Sequence, residues 1–236
     1  MKENKTPIAI VRKELKRLMK EWGMGPAAII RILKGGGNSS KGSAYERETC
    51  KKLSLWWTHG ERDDVFWRSS GSGARAKVRG RQGTATLGQH GDIAATDPIG
   101  KPLIDVFTIE LKRGYTETSC QDPMDMQGNA KAQQWEGFIE QAMESAEMAS
   151  SLSWMLVVRR NSRQALVWVP SLVMCHLRGV GSFSKGMPDF CVRMQIPSRL
   201  LNDGKISMYG MRLDTWLNNV TPDQVRAMVD KWGNIH

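Results

Sequence analysis

The chain has 236 residues, which is enough to bury a full core in one elaborated domain or in two small ones. It carries 34 Lys and Arg residues against 24 Asp and Glu residues, a net charge of +10, and this excess favours a polyanionic partner. No apolar run approaches membrane-spanning length, and the start of the chain lacks the apolar core of a signal peptide. The four cysteines stand in no zinc-binding spacing. We therefore expect a cytoplasmic protein with reduced thiols and no membrane partner.

The first 40 residues predict a basic helical extension and a linker. Apolar residues recur at helical spacing from Ile8 to Trp22, and lysines and arginines occupy the other side of that helix. A short second helix follows, and the glycine-rich stretch 35–42 predicts a flexible link. The helices could form a helix-turn-helix, a dimer arm or a lid with a solvated basic face.

A third helix is predicted from Ala44 to about Thr58. Glu46 recurs on the same stripe as three apolar residues, Cys50, Leu53 and Trp57. Glu48 lies off that stripe and is expected to pair with Lys52 four residues later. A carboxylate on an apolar stripe must become neutral, find a basic partner, or face a metal ion or its water shell, because unpaired burial of its charge is costly.

A strand from Val65 to Arg68 precedes a long glycine-rich loop. Four basic residues alternate with glycines and small residues in this loop: Arg75, Lys77, Arg79 and Arg81. A mobile basic loop before an acidic motif suits contacts to phosphate groups. The alternative is a loop whose charges are simply solvated.

Residues 91–113 predict a strand, a turn and a second strand that runs from Leu103 to Leu111. Because alternate strand residues face opposite sides, Glu110 and Lys112 share one face of the second strand. Asp92 lies on the first strand, and if the two faces coincide it converges with Glu110 beside Lys112. The alternative is an ordinary surface ion pair on a half-exposed strand.

Two converging carboxylates favour a hard divalent cation. Magnesium is bound by one or two carboxylates while it keeps several waters, and it can polarise a phosphoryl oxygen and acidify its bound water. Lys112 could orient the attacking water or stabilise negative charge that develops on the phosphorus centre.

The remaining pattern predicts a helix over Ala132–Met148, a hairpin formed by Trp154–Val158 and Gln164–Val169, a strand near Ile206–Met211 and a last helix that ends near Trp232. The acidic residues between Thr116 and Asn129 are either solvated or supply a further metal ligand.

These motifs together resemble the archaeal-type Holliday-junction resolvases of the PD-(D/E)xK nuclease superfamily. The resemblance is carried by Lys41-Gly-Ser-Ala-Tyr-Glu46, a strand that ends at Arg68 before Gly71-Ser72-Gly73, Gly91-Asp92-Ile-Ala, and Ile109-Glu110-Leu-Lys112. It covers about Lys41 to Val169. It implies an α/β, restriction-endonuclease-like core of helix, three strands, helix and two strands, with extra N- and C-terminal helical segments. Gly91 departs from the family, which has proline at that position.

The resemblance also implies the roles of individual residues. Glu46, Asp92 and Glu110 would hold Mg²⁺, for which Mn²⁺ substitutes, and Lys112 would assist catalysis. The residues expected to contact DNA are Lys41, Arg68, Ser72, Arg75, Lys77, Arg79 and Arg81. Related nucleases often place a further residue that faces the site near the start of the following helix, here Lys131 or Gln134.

The first functional hypothesis is thus a magnesium-dependent endonuclease that cuts branched or Holliday-junction DNA. A junction has two scissile strands related by approximate two-fold symmetry, which implies a homodimer. The alternatives are a restriction-like or repair endonuclease on duplex DNA, and a catalytically silent DNA-binding protein on the same scaffold. We expect the nuclease core at 41–170 and a C-terminal elaboration at 171–236.

Overall fold

The computed structural model describes residues 37–69, 90–125, 130–179, 190–195 and 205–232 of the chain. The chain separates into two compact units, Met1–Ser43 and Ala44–His236, and the second unit holds both β-sheets. Among the described residues, no helix combines the length and the apolarity that crossing a bilayer requires.

Helices and strands alternate along a mixed α/β chain. In order they are α1 (Gly37–Trp57), β1 (Phe66–Arg68), β2 (Ile93–Ala95), α2 (Lys101–Val106), β3 (Phe107–Gly114), α3 (Asp122–Asp125), α4 (Ala130–Ala149), β4 (Ser153–Arg160), β5 (Leu166–Pro170), α5 (Ser171–Gly179), β6 (Phe190–Gln195), β7 (Lys205–Arg212), α6 (Leu213–Asn219) and α7 (Pro222–Trp232). A 3₁₀ turn, Pro98–Gly100, leads into α2.

The strands form two sheets. β1 and β2 make a two-stranded antiparallel sheet, and the other five strands lie in the order β3-β4-β5-β7-β6. β3 and β4 are parallel and therefore need a crossover connection, which contains α4. The remaining neighbours are antiparallel. β3, which carries Glu110 and Lys112, is an outer strand of the five-stranded sheet.

Apolar groups cover both faces of β3. On one face, Phe107 and Ile109 join a core that includes Leu53 and Trp57 of α1. On the other face, α4 packs against the sheet and buries Ile139 in a second cluster. The side of β3 that carries the polar residues is therefore also interior, and only 2 % of Glu110 is exposed. This burial rules out an ordinary surface ion pair on a half-exposed strand.

Several sequence predictions are confirmed. The apolar stripe of α1 is buried, since Cys50, Leu53 and Trp57 are each 1 % exposed. The hairpin forms as β4 and β5, which pair antiparallel with Val157 opposite Val167. β7 and α7 lie where a strand and a final helix were expected.

Residues Leu103–Val106 were wrongly assigned to a strand, because they belong to α2. Pro102 lies in the first turn of this helix, where its missing N–H breaks no hydrogen bond. Leu103 and Val106, three residues apart, then point into the core together. These apolar side chains are thus buried from a helix and not from a strand, because tertiary packing overrides the strand propensity of the segment.

The predicted glycine-rich link was also wrong in part, because α1 begins at Gly37 and not at Ala44. A glycine costs about 1 kcal/mol in a helix, and elongation of a helix that already exists needs no new nucleus. The predicted pair of Glu48 with Lys52 does not form. Glu48 instead accepts hydrogen bonds from Arg159, and Lys52 binds Asp214. An exposed i,i+4 pair contributes only about 0.2–0.5 kcal/mol, so other partners displace it readily.

Candidate active site

Asp92 is fixed to β3 on both sides of Glu110. Its backbone N–H donates to the carbonyl oxygen of Ile109 at 2.8 Å. Its carboxylate Oδ2 accepts from the backbone N–H of Leu111 at 2.7 Å. These two bonds bracket Glu110 and bring the two predicted carboxylates together.

The environment of Asp92 disfavours its charged form. Burial, and next the negative charge of Glu110, raise the pKa of Asp92 to about 7. The Leu111 N–H and the positive charge of Lys112 act in the opposite direction and lower this pKa. A cation bound at Asp92 would offset both of these effects, because it favours the charged carboxylate.

Glu110 is buried, and its carboxylate is contacted by three side-chain hydrogen-bond donors. Ser145 Oγ donates to Oε1 at 2.8 Å, and Gln141 Nε2 donates to Oε2 at 2.9 Å. Lys112 Nζ lies 3.4 Å from the same Oε2. Lys112 Nζ also donates to Gln141 Oε1 at 3.0 Å, and it lies 5.6 Å from the ring centroid of Phe138. The lysine is thus oriented by the same glutamine that orients the carboxylate.

Gln141 and Ser145 were not predicted as site residues. The helix was expected to contribute Lys131 or Gln134, but Gln134 instead forms a hydrogen bond with Thr118. The side chain of Lys131 lies outside the described residues. Gln141 and Ser145 are three and seven residues after Phe138, so they continue its helical stripe. Polar residues on an otherwise apolar stripe of α4 were the available signal.

Glu46 has a basic partner. Its Oε2 accepts from Arg68 Nε at 2.8 Å, and this ion pair joins α1 to the end of β1. Glu46 also lies close enough to Asp92 for its charge to raise the pKa of Asp92. One of the three outcomes expected for a carboxylate on this stripe, pairing with a base, is therefore present.

Of the three predicted metal ligands, Asp92 and Glu110 form a pair, and Glu46 is separately engaged by Arg68. In the part of the chain that the structure describes, no three His, Cys, Asp or Glu side chains form a group that could hold a metal ion. Asp92 and Glu110 form an oxygen donor pair in which burial and like charge favour a cation. One or two carboxylates are what Mg²⁺ commonly takes from a protein, so this pair fits the ion. Glu46 is held by Arg68 in this arrangement.

Asp122, which follows β3, has hydrogen-bond partners in its own turn. Asp122 accepts from the backbone N–H and the hydroxyl of Ser119 at 2.8 Å and 3.1 Å. The carboxylate thus stabilises its own turn, a local structural role.

Most of the predicted DNA-contacting residues lie outside the described residues. These are Ser72, Arg75, Lys77, Arg79 and Arg81. Lys41 is part of α1, and its side chain is likewise not described. Arg68 is described, and its guanidinium forms an ion pair with Glu46.

Gly91 explains one departure from the expected motif. Its φ is +75°, which proline cannot adopt because its ring holds φ near −65°. A Cβ atom here would lie 2.8 Å from the carbonyl oxygen of Ile109 and 2.9 Å from Cγ2 of Thr108. Glycine at this position therefore lets the backbone turn directly against β3 and place Asp92 there.

Comparison with known proteins gives a family for this chain. The family model described as "Phage putative PDDEXK endonuclease" matches residues 37–227, which run from the start of α1 into α7. The search of curated proteins gives no match. The search of solved structures gives none either.

Proposed function

We infer that this chain, which belongs to the family described as "Phage putative PDDEXK endonuclease", is a magnesium-dependent DNA endonuclease. Family membership supports nuclease chemistry. The metal ion, the residues that hold it and the form of the DNA are our proposals.

The convergence of Asp92 and Glu110 beside Lys112 is the observation that carries this proposal. Asp92 is anchored to the backbone of Leu111, and Glu110 is held by Gln141 and Ser145. A protein that only bound DNA would gain nothing from two acidic groups in a partly buried site, because they repel phosphate. A silent scaffold is therefore the weaker alternative.

Asp92 and Glu110 would hold the ion, and Glu46 would complete the acidic set. When bound, Mg²⁺ supplies polarisation of a phosphoryl oxygen and a more acidic water molecule. The donors on Glu110 keep one carboxylate orientation available and so reduce the reorganisation that binding requires. Arg68, which is paired with Glu46, would contribute a guanidinium contact to a phosphate of the bound strand.

Lys112 acts on the reacting groups directly. Its Nζ is held within reach of Glu110 and Gln141, and its ammonium can donate hydrogen bonds to the attacking water or to a phosphoryl oxygen that gains negative charge. Because it is pre-positioned, little rotamer freedom is lost when the substrate binds.

Branched DNA, including four-way junctions, is the substrate class that we propose. The ordered motifs resemble those of the archaeal-type junction resolvases, and the four basic residues between positions 75 and 81 suit contacts to phosphates near the cut. Cutting both strands of a junction would require two such sites in a symmetric homodimer.

The experiment is a cleavage assay on matched duplex, flap, fork and four-way-junction DNAs with Mg²⁺, with Mn²⁺ and with EDTA. We expect cleavage that requires a divalent ion and is lost in Glu110→Gln. Preference for the junction would support a resolvase, and preference for intact duplex would move the assignment to a restriction-like or repair enzyme. Absence of cleavage on every DNA with either metal would overturn the endonuclease proposal.

A further inference from the structure

An arginine-lined cavity of about 300 Å³ opens on the side of the sheet that carries Glu110 and Lys112. Three arginines line it, one at the end of β4, one in the turn that follows and one at the end of β7, and Trp135 and Val158 line its apolar wall. The arginines are Arg160, Arg163 and Arg212.

The cavity lies next to the catalytic lysine. Val158, which lines it, is the residue directly opposite Lys112 in the parallel pairing of β3 and β4. Neighbouring strands lie about 4.8 Å apart, so one strand spacing separates the two backbone positions. On α4, the ring of Phe138 contacts Lys112 on one side and Trp135 on the other, with a centroid distance of 6.2 Å between the two rings. A ligand in the cavity would therefore lie about one strand away from Lys112.

The charge of the cavity favours an anion. Its described lining includes no Asp or Glu. Within the described part of the chain, Arg160 and Arg163 form no salt bridge, whereas the nearby Arg159 binds Glu48. Two uncompensated guanidinium groups at one cavity suit a phosphate group, which accepts their paired N–H donors. Ser119 and Gln164 add neutral polar groups at the same cavity.

The size of the cavity selects one nucleotide. A volume of about 300 Å³ lies at the lower end of the range for small-molecule sites, and a double helix cannot enter it. A nucleotide can enter only when it has left the base stack, and this is least costly where it is already unpaired.

We propose that this cavity binds one unpaired nucleotide of the DNA substrate, with its phosphate on Arg160 and Arg163. This inference rests on the proposed DNA endonuclease function and specifies its substrate class. Recognition of an unpaired nucleotide beside the cut would direct the enzyme to branch points, flaps and single-stranded ends, and away from intact duplex.

The test uses the full chain with Glu110→Gln, without metal, so that binding is measured in the absence of cleavage. The double variant Arg160→Ala/Arg163→Ala is compared with Lys51→Ala/Lys101→Ala, which removes the same charge from two exposed lysines. The probes are a labelled duplex and the same duplex with a short single-stranded flap. Thermal melting checks that each protein is folded.

We expect the arginine variant to lose roughly tenfold or more of its affinity for the flap DNA, because charged hydrogen bonds are lost, and much less for the duplex. The lysine variant should lose a small and equal amount of affinity for the flap DNA and for the duplex. Thymidine 5′-monophosphate should compete for the flap DNA more strongly than thymidine. Equal losses on flap and duplex, or no loss on either, would overturn the nucleotide pocket. An intact flap preference without any metal-dependent cleavage by the wild-type chain would overturn only the endonuclease proposal.

Discussion

The side-chain amide of Gln141 donates to Glu110 Oε2 at 2.9 Å, and its carbonyl oxygen accepts from Lys112 Nζ at 3.0 Å. One amide therefore sets the positions of an acidic group and a basic group that lie on the same strand. The direct contact between Lys112 Nζ and Glu110 Oε2 is longer, at 3.4 Å. Without Gln141, each of these two side chains would be oriented mainly by the other. We therefore expect Gln141 to act through Glu110 and Lys112 by holding both side chains in place.

Gln141→Leu should lower kcat by about tenfold to a hundredfold and leave KM nearly unchanged, because misplaced reacting groups reduce turnover more than binding. Steady-state cleavage of the best DNA substrate measures both constants. Gln134→Leu is the control, since Gln134 contacts Thr118 and not the acidic pair. Equal effects of the two variants would contradict the positioning role.

Asp92→Asn should raise the thermal stability of the metal-free protein by a few degrees, because it removes a buried negative charge next to Glu110 and keeps an acceptor for the Leu111 N–H. We also expect Mg²⁺ to stabilise the wild type, and Asp92→Asn should abolish that stabilisation. Asp97→Asn is a control for which we expect the opposite change in stability. Hydrogen bonds from the Ile99 N–H and from Arg62 lower the pKa of Asp97, so loss of its charge should destabilise the fold. Thermal melting curves of both variants, recorded with and without Mg²⁺, measure these changes in stability. A metal-free Asp92→Asn protein that is less stable than the wild type would count against the cation site.

Glu46→Gln should reduce turnover strongly, whereas Glu48→Gln should change it little. Glu46 lies beside Asp92 and holds Arg68, while Glu48 forms an exposed pair with Arg159 that contributes about 1 kcal/mol at most. Cleavage rates at saturating Mg²⁺ compare the two variants on the same helix. If both lost activity equally, Glu46 would have no special place in the site.

Gly91→Ala should destabilise the protein by about 1–3 kcal/mol and reduce cleavage, because a side chain is strained at this positive φ and its Cβ would meet the carbonyl oxygen of Ile109. Gly137→Ala is the matched control in α4. A Cβ there meets nothing within 4 Å, so this variant should be stabilised by about 0.5–1 kcal/mol. Urea unfolding measures both changes, and two changes of the same sign would refute the role assigned to the Gly91 backbone.

Cys50 should resist alkylation at pH 8, whereas the exposed Cys175 should react. Burial, and next the charge of Glu46, raise the pKa of the Cys50 thiol to about 12. Since only the thiolate reacts, a higher pKa leaves less reactive Cys50 at any pH below that value. Peptide mass analysis after iodoacetamide treatment of the folded protein measures labelling at each site. Labelling of Cys50 as fast as Cys175 would show that the thiol is not buried as described.

The acidic pair and Lys112 were predictable because they follow from local rules. Strand alternation placed Glu110 and Lys112 on one face, and the strand-turn-strand pattern of residues 91–113 predicted that Asp92 would lie next to them. The Leu103–Val106 error arose because a short apolar run fits a strand and a buried helix equally well. Gln141 was missed because its role depends on how α4 lies across β3, which no local pattern fixes. The pairing of Glu46 with Arg68 likewise depends on contact between distant segments.

The crossover between the parallel strands has a consequence for synthesis of the protein on the ribosome. Glu110 receives its hydrogen bond from Ser145, 35 residues later in the chain, and β3 finds its parallel neighbour only when β4 has been made. A nascent chain that has just produced the whole acidic motif therefore lacks the partners that orient it. Contacts between residues so far apart form late, after the cost of closing the intervening loop has been met. An incompletely translated or prematurely terminated product would thus carry Asp92, Glu110 and Lys112 without the contacts from Gln141 and Ser145 that hold Glu110 and Lys112 in place.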